Sequence, residues 1–288
     1  MLFVVYDMEK SSRKMERMKA MKPHLLFFDI DGTLRDEATG EVSDATRNAV
    51  KRAQKQGHIA FLNTGRSFAE LDKEIMDVGF DGVVCGCGTY VDYEGENLLV
   101  ERIAGEEAQR VVALLEKYKI QALLEGQSYF YISKYTNNKK LLQVKEYFGV
   151  EVNKKCRFWE DVQPEFQKMT VWLNPDSDFE SFQKELADRF EYIKRDFDFY
   201  EIIPKGYSKA TGMHYMAEHL GIEKERTVAI GDSTNDLSML QFAGISVAMG
   251  NSCELVKEKV DFVTRSVEEE GVAYALEQLG FANIEERM

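Results

Sequence analysis

The stretch Leu25-Leu-Phe-Phe-Asp-Ile-Asp-Gly-Thr-Leu34 constrains this chain more than any other. Four apolar residues, Leu25 to Phe28, bounded by a glycine turn, read as a short inner strand of a parallel sheet, buried on both faces. At its end Asp29 and Asp31 stand two apart, and Gly32 lets the backbone curl so that both carboxylates approach one small space. Two anions that close call for a cation. A hard, oxygen-seeking ion such as Mg²⁺ suits them, because it prefers carboxylates and keeps positions open for water and phosphate oxygens. An Asp-Gly dipeptide by itself is an ordinary turn; the whole D-x-D-G-T-L string after an apolar strand is more specific.

The chain has 288 residues, enough for one large domain or two modest ones with a sizeable core. A net charge of −13 argues against a nucleic-acid or anionic-membrane surface, both of which need basic patches. No stretch approaches the ~18 apolar residues of a membrane span, and Leu2 to Tyr6 is too short for a signal-peptide core, so a cytoplasmic protein is expected. Cys85, Cys87, Cys156 and Cys253 include a single C-x-C, expected as reduced thiols near a turn. Nothing in the His spacing suggests zinc.

Residues 1–21, with Lys10, Arg13, Lys14, Arg17 and Lys19, read as an extension outside the fold. After the first strand, the polar run Arg35 to Glu41 suits a small flap. Ser43 then caps a helix carrying Ala45, Ala49 and Ala53 and ending at Gly57. His58 to Leu62 is a second strand running into Asn63-Thr64-Gly65-Arg66-Ser67, with a helix expected from about Phe68 to Val78. Such a strand-to-helix turn presents N–H groups and a hydroxyl to a phosphate. By itself it is also an ordinary turn, and Arg66 is either a phosphate or substrate contact or a surface charge.

Val83 and Val84 form a third strand, and Cys85-Gly-Cys-Gly88 suggests a change of direction. From Thr89 the pattern becomes that of an α+β unit inserted into an α/β one. It begins with a hairpin (Tyr90 to Tyr93, Leu98 to Val100) and a helix bearing Ala108, Val111, Val112 and Leu115. Strands follow at Gln121 to Leu124, Tyr129 to Ser133, Lys168 to Leu173 and Phe199 to Ile203, with helices near Lys139 to Phe148 and Phe179 to Phe190. Its aromatic residues, Tyr129, Phe130, Tyr131 and Trp159 among them, are expected in its core. The α/β pattern resumes at Gly206, where Ser208 caps a helix with Met213, Met216, Ala217 and Leu220 on one face. That places Lys209 in the first turn, where a cation opposes the helix dipole unless an anion is near. Thr227 to Ile230 is another buried strand, followed by Gly231-Asp-Ser-Thr-Asn-Asp-Leu-Ser-Met-Leu240, again with acidic groups at a strand end, where open α/β sheets bind ligands. Ile245 to Met249, a helix from near Ser252, Phe262 to Thr264 and a helix from Glu269 to Leu279 complete the pattern.

Four junctions thus carry Asp29 with Asp31, Thr64, Lys209, and Asp232 with Asn235 and Asp236. Their order and spacing resemble the four motifs of haloacid dehalogenase (HAD) superfamily phosphatases, over Leu25 to Leu279, and the inserted unit looks like the large cap of the Cof-type, IIB group. The resemblance implies a doubly wound, mostly parallel Rossmann-like core (22–88 and 204–288) with an α+β cap (89–203). It also implies a Mg²⁺-dependent phosphatase acting on small phosphomonoesters such as sugar phosphates, nucleotides or phosphorylated cofactors. In it Asp29 is the nucleophile and Asp31 the general acid and base. Thr64 and Lys209 hold phosphoryl oxygens, Asp29, the Asp31 carbonyl and Asp232 bind the metal, and Asn235 and Asp236 orient it. Gly32, Gly65 and Arg66 are expected against the substrate. Where the group has Asn-Gly-Ala at the cap entry, this chain has Cys87-Gly88-Thr89. A phosphomutase or other phosphotransferase, or a non-catalytic phosphate-binding regulator, would use the same residues. The expected partner is a small phosphorylated metabolite, with no nucleic acid or membrane, and the chain is expected as a monomer or weak homo-oligomer.

Overall fold

Every residue of β1 (Leu25–Phe28) is buried, and the strand feeds two cores at once. Leu26 and Phe28 pack with Ala49, Val50, Val272 and Leu276 on one face of the sheet. Leu25 and Phe27 pack with Met213, Met216 and Met239 on the other. Period-2 side chains on a strand covered by helices on both faces account for the continuous apolar run. The computed structural model describes residues 23–283, so the extension expected at 1–21 lies outside the described residues.

The strands that follow in the first sheet are β2 (Ile59–Asn63), β3 (Gly82–Cys85), β4 (Tyr90–Tyr93) and β5 (Glu96–Val100). Next along the chain come β6 (Gln121–Glu125), β7 (Phe130–Ile132), β8 (Cys156–Phe158), β9 (Lys168–Trp172), β10 (Phe190–Asp196) and β11 (Phe199–Pro204), then β12 (Thr227–Gly231), β13 (Ile245–Ala248) and β14 (Phe262–Val263). An eight-stranded sheet runs β14-β13-β12-β1-β2-β3-β4-β5. Its ladders are parallel from β14 to β3, and β1 lies between β12 and β2. This is the doubly wound α/β architecture expected from the sequence.

One boundary differs. The hairpin expected to open the inserted unit pairs instead antiparallel onto β3, so β4 and β5 extend the first sheet and residues 89–100 belong with it. The alternating pattern identifies a hairpin but not the edge that receives it, since the ladder partner lies outside the hairpin. The helix expected over Phe68 to Val78 is also broken, into a 3₁₀ turn at Phe68–Glu70 and a short helix at Lys73–Met76 capped by Asp72.

The second sheet is six-stranded, ordered β10-β11-β9-β6-β7-β8. One face packs against the helices Gly105–Lys117 and Phe179–Leu186 through Val111, Leu115, Phe182, Met169 and Val171. The other packs against the helix Lys139–Tyr147 through Leu141, Leu123, Phe130 and Trp172. Phe130, Tyr131 and Trp159 are buried as expected, but Tyr129 is 41% exposed and stacks under the Arg157 guanidinium.

Candidate active site

Parallel strands that end together place their following loops together, and the C-terminal ends of β1, β2 and β12 are neighbours in the sheet. Asp29 follows β1, its N–H donating to the Ile230 carbonyl of β12 at 3.0 Å. The chain then turns through Gly32, whose φ of +77° favours glycine, and a Cβ there would meet the Asp232 carboxylate at 2.5 Å. Gly231 has a similar role, since a Cβ on it would lie 2.6 Å from Cγ of Asp236.

Asp29, Asp232 and Asp236 converge, with an oxygen of each within 4.8 Å of the others. Asp236 is fully buried and accepts the N–H groups of Asp232 and Ser233 on Oδ2, each at 3.0 Å. Lys209, only 1% exposed, donates to Asp29 Oδ1 at 2.5 Å and to Asp236 Oδ1 at 2.6 Å. Ser208 is the N-cap of its helix, so the ammonium sits at the unfavourable helix end for which the sequence demanded a nearby anion. Burial works against the charge of Lys209, but Asp236 and Asp29 outweigh it and hold the group protonated above its ordinary range. One ammonium is too little for three carboxylates. Burial, then Asp236, pushes Asp29 up to about 8 against the opposing pull of Lys209. Asp232 is pushed up to about 7 by burial and Asp236, although Thr33 Oγ1 donates to it at 3.2 Å. A set of hard oxygen donors that crowd one another and cannot ionise together without help is chemically fitted to a divalent cation.

The second junction delivers Thr64 and Arg66. Thr64 is buried and its Oγ1 accepts the Arg66 N–H at 3.1 Å, which leaves the hydroxyl proton to donate elsewhere. Asp31 does not join the triad with its side chain. It is held by the Arg66 guanidinium in a two-point ion pair, Nε to Oδ2 at 2.8 Å and Nη2 to Oδ1 at 2.7 Å. Asn235 accepts from Ser233 Oγ at 2.5 Å, within its own turn. Gly65 faces the seam between the sheets, where a Cβ would meet Glu201 Oε1 at 3.3 Å.

Three contributors escaped the sequence reading. Asn251, after β13, donates to the Gly32 carbonyl at 2.9 Å and so pins the first loop from a fourth strand end. The rule that singled out Asp232, a polar residue just past a buried strand, applies equally to Gly250-Asn251. Lys168 of β9 reaches from the second sheet to the Gly65 carbonyl at 2.9 Å. Tyr147, at the end of the helix Lys139–Tyr147, donates to Asp31 Oδ1 at 3.2 Å. Neither of the last two had a motif around it.

A sequence profile of the haloacid dehalogenase-like hydrolases matches residues 26–276. The chain therefore belongs to that family. It is 30% identical over 282 residues to a putative bifunctional phosphatase/peptidyl-prolyl cis-trans isomerase of Streptococcus pyogenes, covering 96% of this chain but 58% of that protein. With a 5-amino-6-(5-phospho-D-ribitylamino)uracil phosphatase of Bacillus subtilis it shares 28% identity, over 87% of this chain and 96% of the relative. A solved HAD subclass IIB sugar phosphatase superposes with a TM-score of 0.73 at 28% identity, covering 90% of this chain and 99% of the other. Within the family, the chain is a phosphatase of the Cof-type, IIB group.

Proposed function

We propose that this enzyme hydrolyses small phosphomonoesters, such as sugar phosphates, nucleotides or phosphorylated cofactors, through a phosphoryl group carried on Asp29, with Mg²⁺ as cofactor. The observation that carries the reading is the convergence of Asp29, Asp232 and Asp236 on Lys209 at adjoining strand ends. Asp29, Asp232 and the Asp31 carbonyl would hold the ion, with Asp236 and Asn235 orienting it. When bound, it supplies charge that lets a phosphate dianion approach these carboxylates.

The chain's own groups then divide the work. An oxygen of Asp29 attacks phosphorus in line as the bond to the leaving oxygen breaks, giving an acyl phosphate on Asp29. Asp31 gives its proton to that oxygen. In the second half, Asp31 takes a proton from water, the water oxygen attacks phosphorus, and Asp29 is released with free phosphate. Lys209 and the Thr64 hydroxyl meet the equatorial oxygens, where charge rests in the transition state. The second sheet with its helices serves as the cap that excludes bulk water. A cytoplasmic setting agrees with four free thiols, two of them buried; among the described residues no helix is long and apolar enough to cross a membrane.

The test is turnover of p-nitrophenyl phosphate before and after removal of divalent ions. Chelation should abolish it, Mg²⁺ should restore it, and Ca²⁺ should restore it poorly because Ca²⁺ takes more ligands in looser geometry. Full activity in chelator would assign the carboxylate cluster another role.

A further inference from the structure

We propose that Arg66 and Tyr147 form a subsite for a second anionic group, a carboxylate or a phosphate, on the leaving-group side of the substrate. The inference rests on the reading of Asp31 as the acid that protonates the leaving oxygen. Its starting point is that the Nε–Nη2 edge of the guanidinium and the Asp31 carboxylate occupy each other. Both carboxylate oxygens accept from Arg66, at 2.8 and 2.7 Å, and Oδ1 also accepts the Tyr147 hydroxyl at 3.2 Å. Arg66 Nη2 in turn donates to the Tyr147 oxygen at 3.1 Å.

In this arrangement Asp31 faces Arg66 rather than a substrate, and its oxygens are already engaged. To hand a proton to a leaving oxygen, its carboxyl must turn out of the fork. Arg66 would then lose both charge-assisted bonds while its side chain is only 14% exposed. A guanidinium cannot shed its charge, and an unpaired one this deep is costly. Glu70 adds a negative charge nearby, but its Oε2 accepts the Ser67 N–H at 2.7 Å, and no bond joins it to the fork. Asp72 is also near but is held by Arg35; among the described residues, then, the acceptor left to Arg66 is the neutral Tyr147 oxygen, and the substrate is the natural source of an anion.

Position says which part of the substrate. Lys209 already binds Asp29 and Asp236 on the nucleophile's side. In an in-line displacement the leaving oxygen lies opposite the nucleophile, so the groups gathered around the acid lie beyond that oxygen. Tyr147 closes the same place from the second sheet's helix, its ring 5.4 Å from the guanidinium carbon. A planar fork roofed by a phenol matches a carboxylate or phosphate, which accepts two parallel N–H bonds and one O–H bond in place of Asp31. The bound anion would thereby free Asp31 for proton transfer, so that recognition of the leaving group and release of the acid become one event.

The test uses three non-hydrolysable phosphonates of equal chain length and calorimetric binding to the Mg²⁺-loaded enzyme. 3-Phosphonopropionate ends in a carboxylate, propane-1,3-bisphosphonate in a second phosphonate, and 3-hydroxypropylphosphonate in a neutral hydroxyl. At least one anionic member should bind roughly tenfold or more tighter than the hydroxyl member, the worth of a two-point charged contact, and the tighter of the two names the source. In Arg66→Gln that ratio should fall to about one, Arg66→Lys should keep part of it, and Tyr147→Phe should lower it by less than Arg66→Gln does. Equal affinities in the wild type, or an unchanged ratio in Arg66→Gln, would overturn the proposal. Uniform loss for all three ligands in Arg66→Gln would overturn it too, placing the guanidinium on the transferred phosphoryl group. Because none of these ligands is turned over, the outcome is separate from the p-nitrophenyl phosphate assay, whose failure would instead remove the hydrolytic reading.

Discussion

Lys209 and Lys168 are both buried, and each ammonium lies between two carboxylates beside the loops that end β1 and β2. Lys209 bonds Asp29 and Asp236; Lys168 bonds Glu201 at 2.5 Å and Glu125 at 3.1 Å. Their surroundings differ in charge balance. Around Lys209 a third carboxylate, Asp232, stands with no second cation among the described residues, so the cluster keeps negative charge to be met from outside. Around Lys168, Glu201 is also paired with Arg195 at 2.9 Å, Glu125 takes the Thr170 hydroxyl at 2.5 Å, and the third ammonium bond goes to the Gly65 carbonyl. The second cluster thus has two cations and bonds for each of its partners, although burial and Glu70 still push Glu125 up, and it acts as a joint between the sheets. A buried lysine flanked by carboxylates is therefore not a site by itself; unmet charge at a strand end is what distinguishes one.

The largest effect that would break this comparison is in Asp29→Asn. Turnover should disappear, with a loss beyond about 10⁴-fold, since no phosphoryl acceptor remains. Metal-free thermal stability should not fall, because the change removes a carboxylate whose charge its neighbours disfavour. A destabilised Asp29→Asn would mean that the Lys209 cluster, too, is a structural joint. Lys168→Met should behave in the opposite way. Stranding Glu125 and the Glu201 oxygen should cost about 3–5 kcal/mol in denaturant unfolding, the usual result of removing one partner of a buried pair. A stable Lys168→Met protein that had lost activity would move this lysine into the catalytic machinery.

The smallest effect lies at the opposite end of β2, where His58 is buried with no excess charge to share. Burial, then His24 and Arg226, push its pKa down to about 4 from the ordinary 6.5. Between those values the unfolded chain binds a proton that the folded one refuses, so stability is full above pH 6.5 and declines as pH falls toward 4. His58→Gln should flatten that part of the stability curve measured by denaturant titration, and an unchanged slope would place the acid sensitivity elsewhere.

How much of this was legible in the sequence follows the same division. Asp29, Thr64, Lys209 and Asp232 each stand just past a buried apolar strand or in the first turn of a helix, and local pattern alone locates such places. The Lys168 cluster draws on β6, β9 and β11, joined only by the ladders of the second sheet, and no local pattern carries it. The hairpin at Tyr90 to Val100 failed for a related reason, because its own residues do not specify the strand that receives it. The helix expected over Phe68 to Val78 failed because apolar spacing continues through Leu71, while Asp72 takes the N–H of Ile75 and starts a new helix.

The account's central claim is that two carboxylates two residues apart have separate chemical tasks, and Asp31→Asn tests it most directly. The amide keeps the size and the backbone carbonyl of Asp31, but it can neither give a proton to a leaving alkoxide nor take one from water. With p-nitrophenyl phosphate, whose phenolate leaves without help, rapid-quench kinetics should show a burst approaching one phenolate per active site, followed by slow hydrolysis of the phosphoenzyme. Alkyl and sugar phosphates should be slowed in the first step by on the order of 10²–10⁴-fold, the range a positioned acid contributes. Equal loss for aryl and alkyl esters, with no burst and with Mg²⁺ binding intact, would contradict the claim.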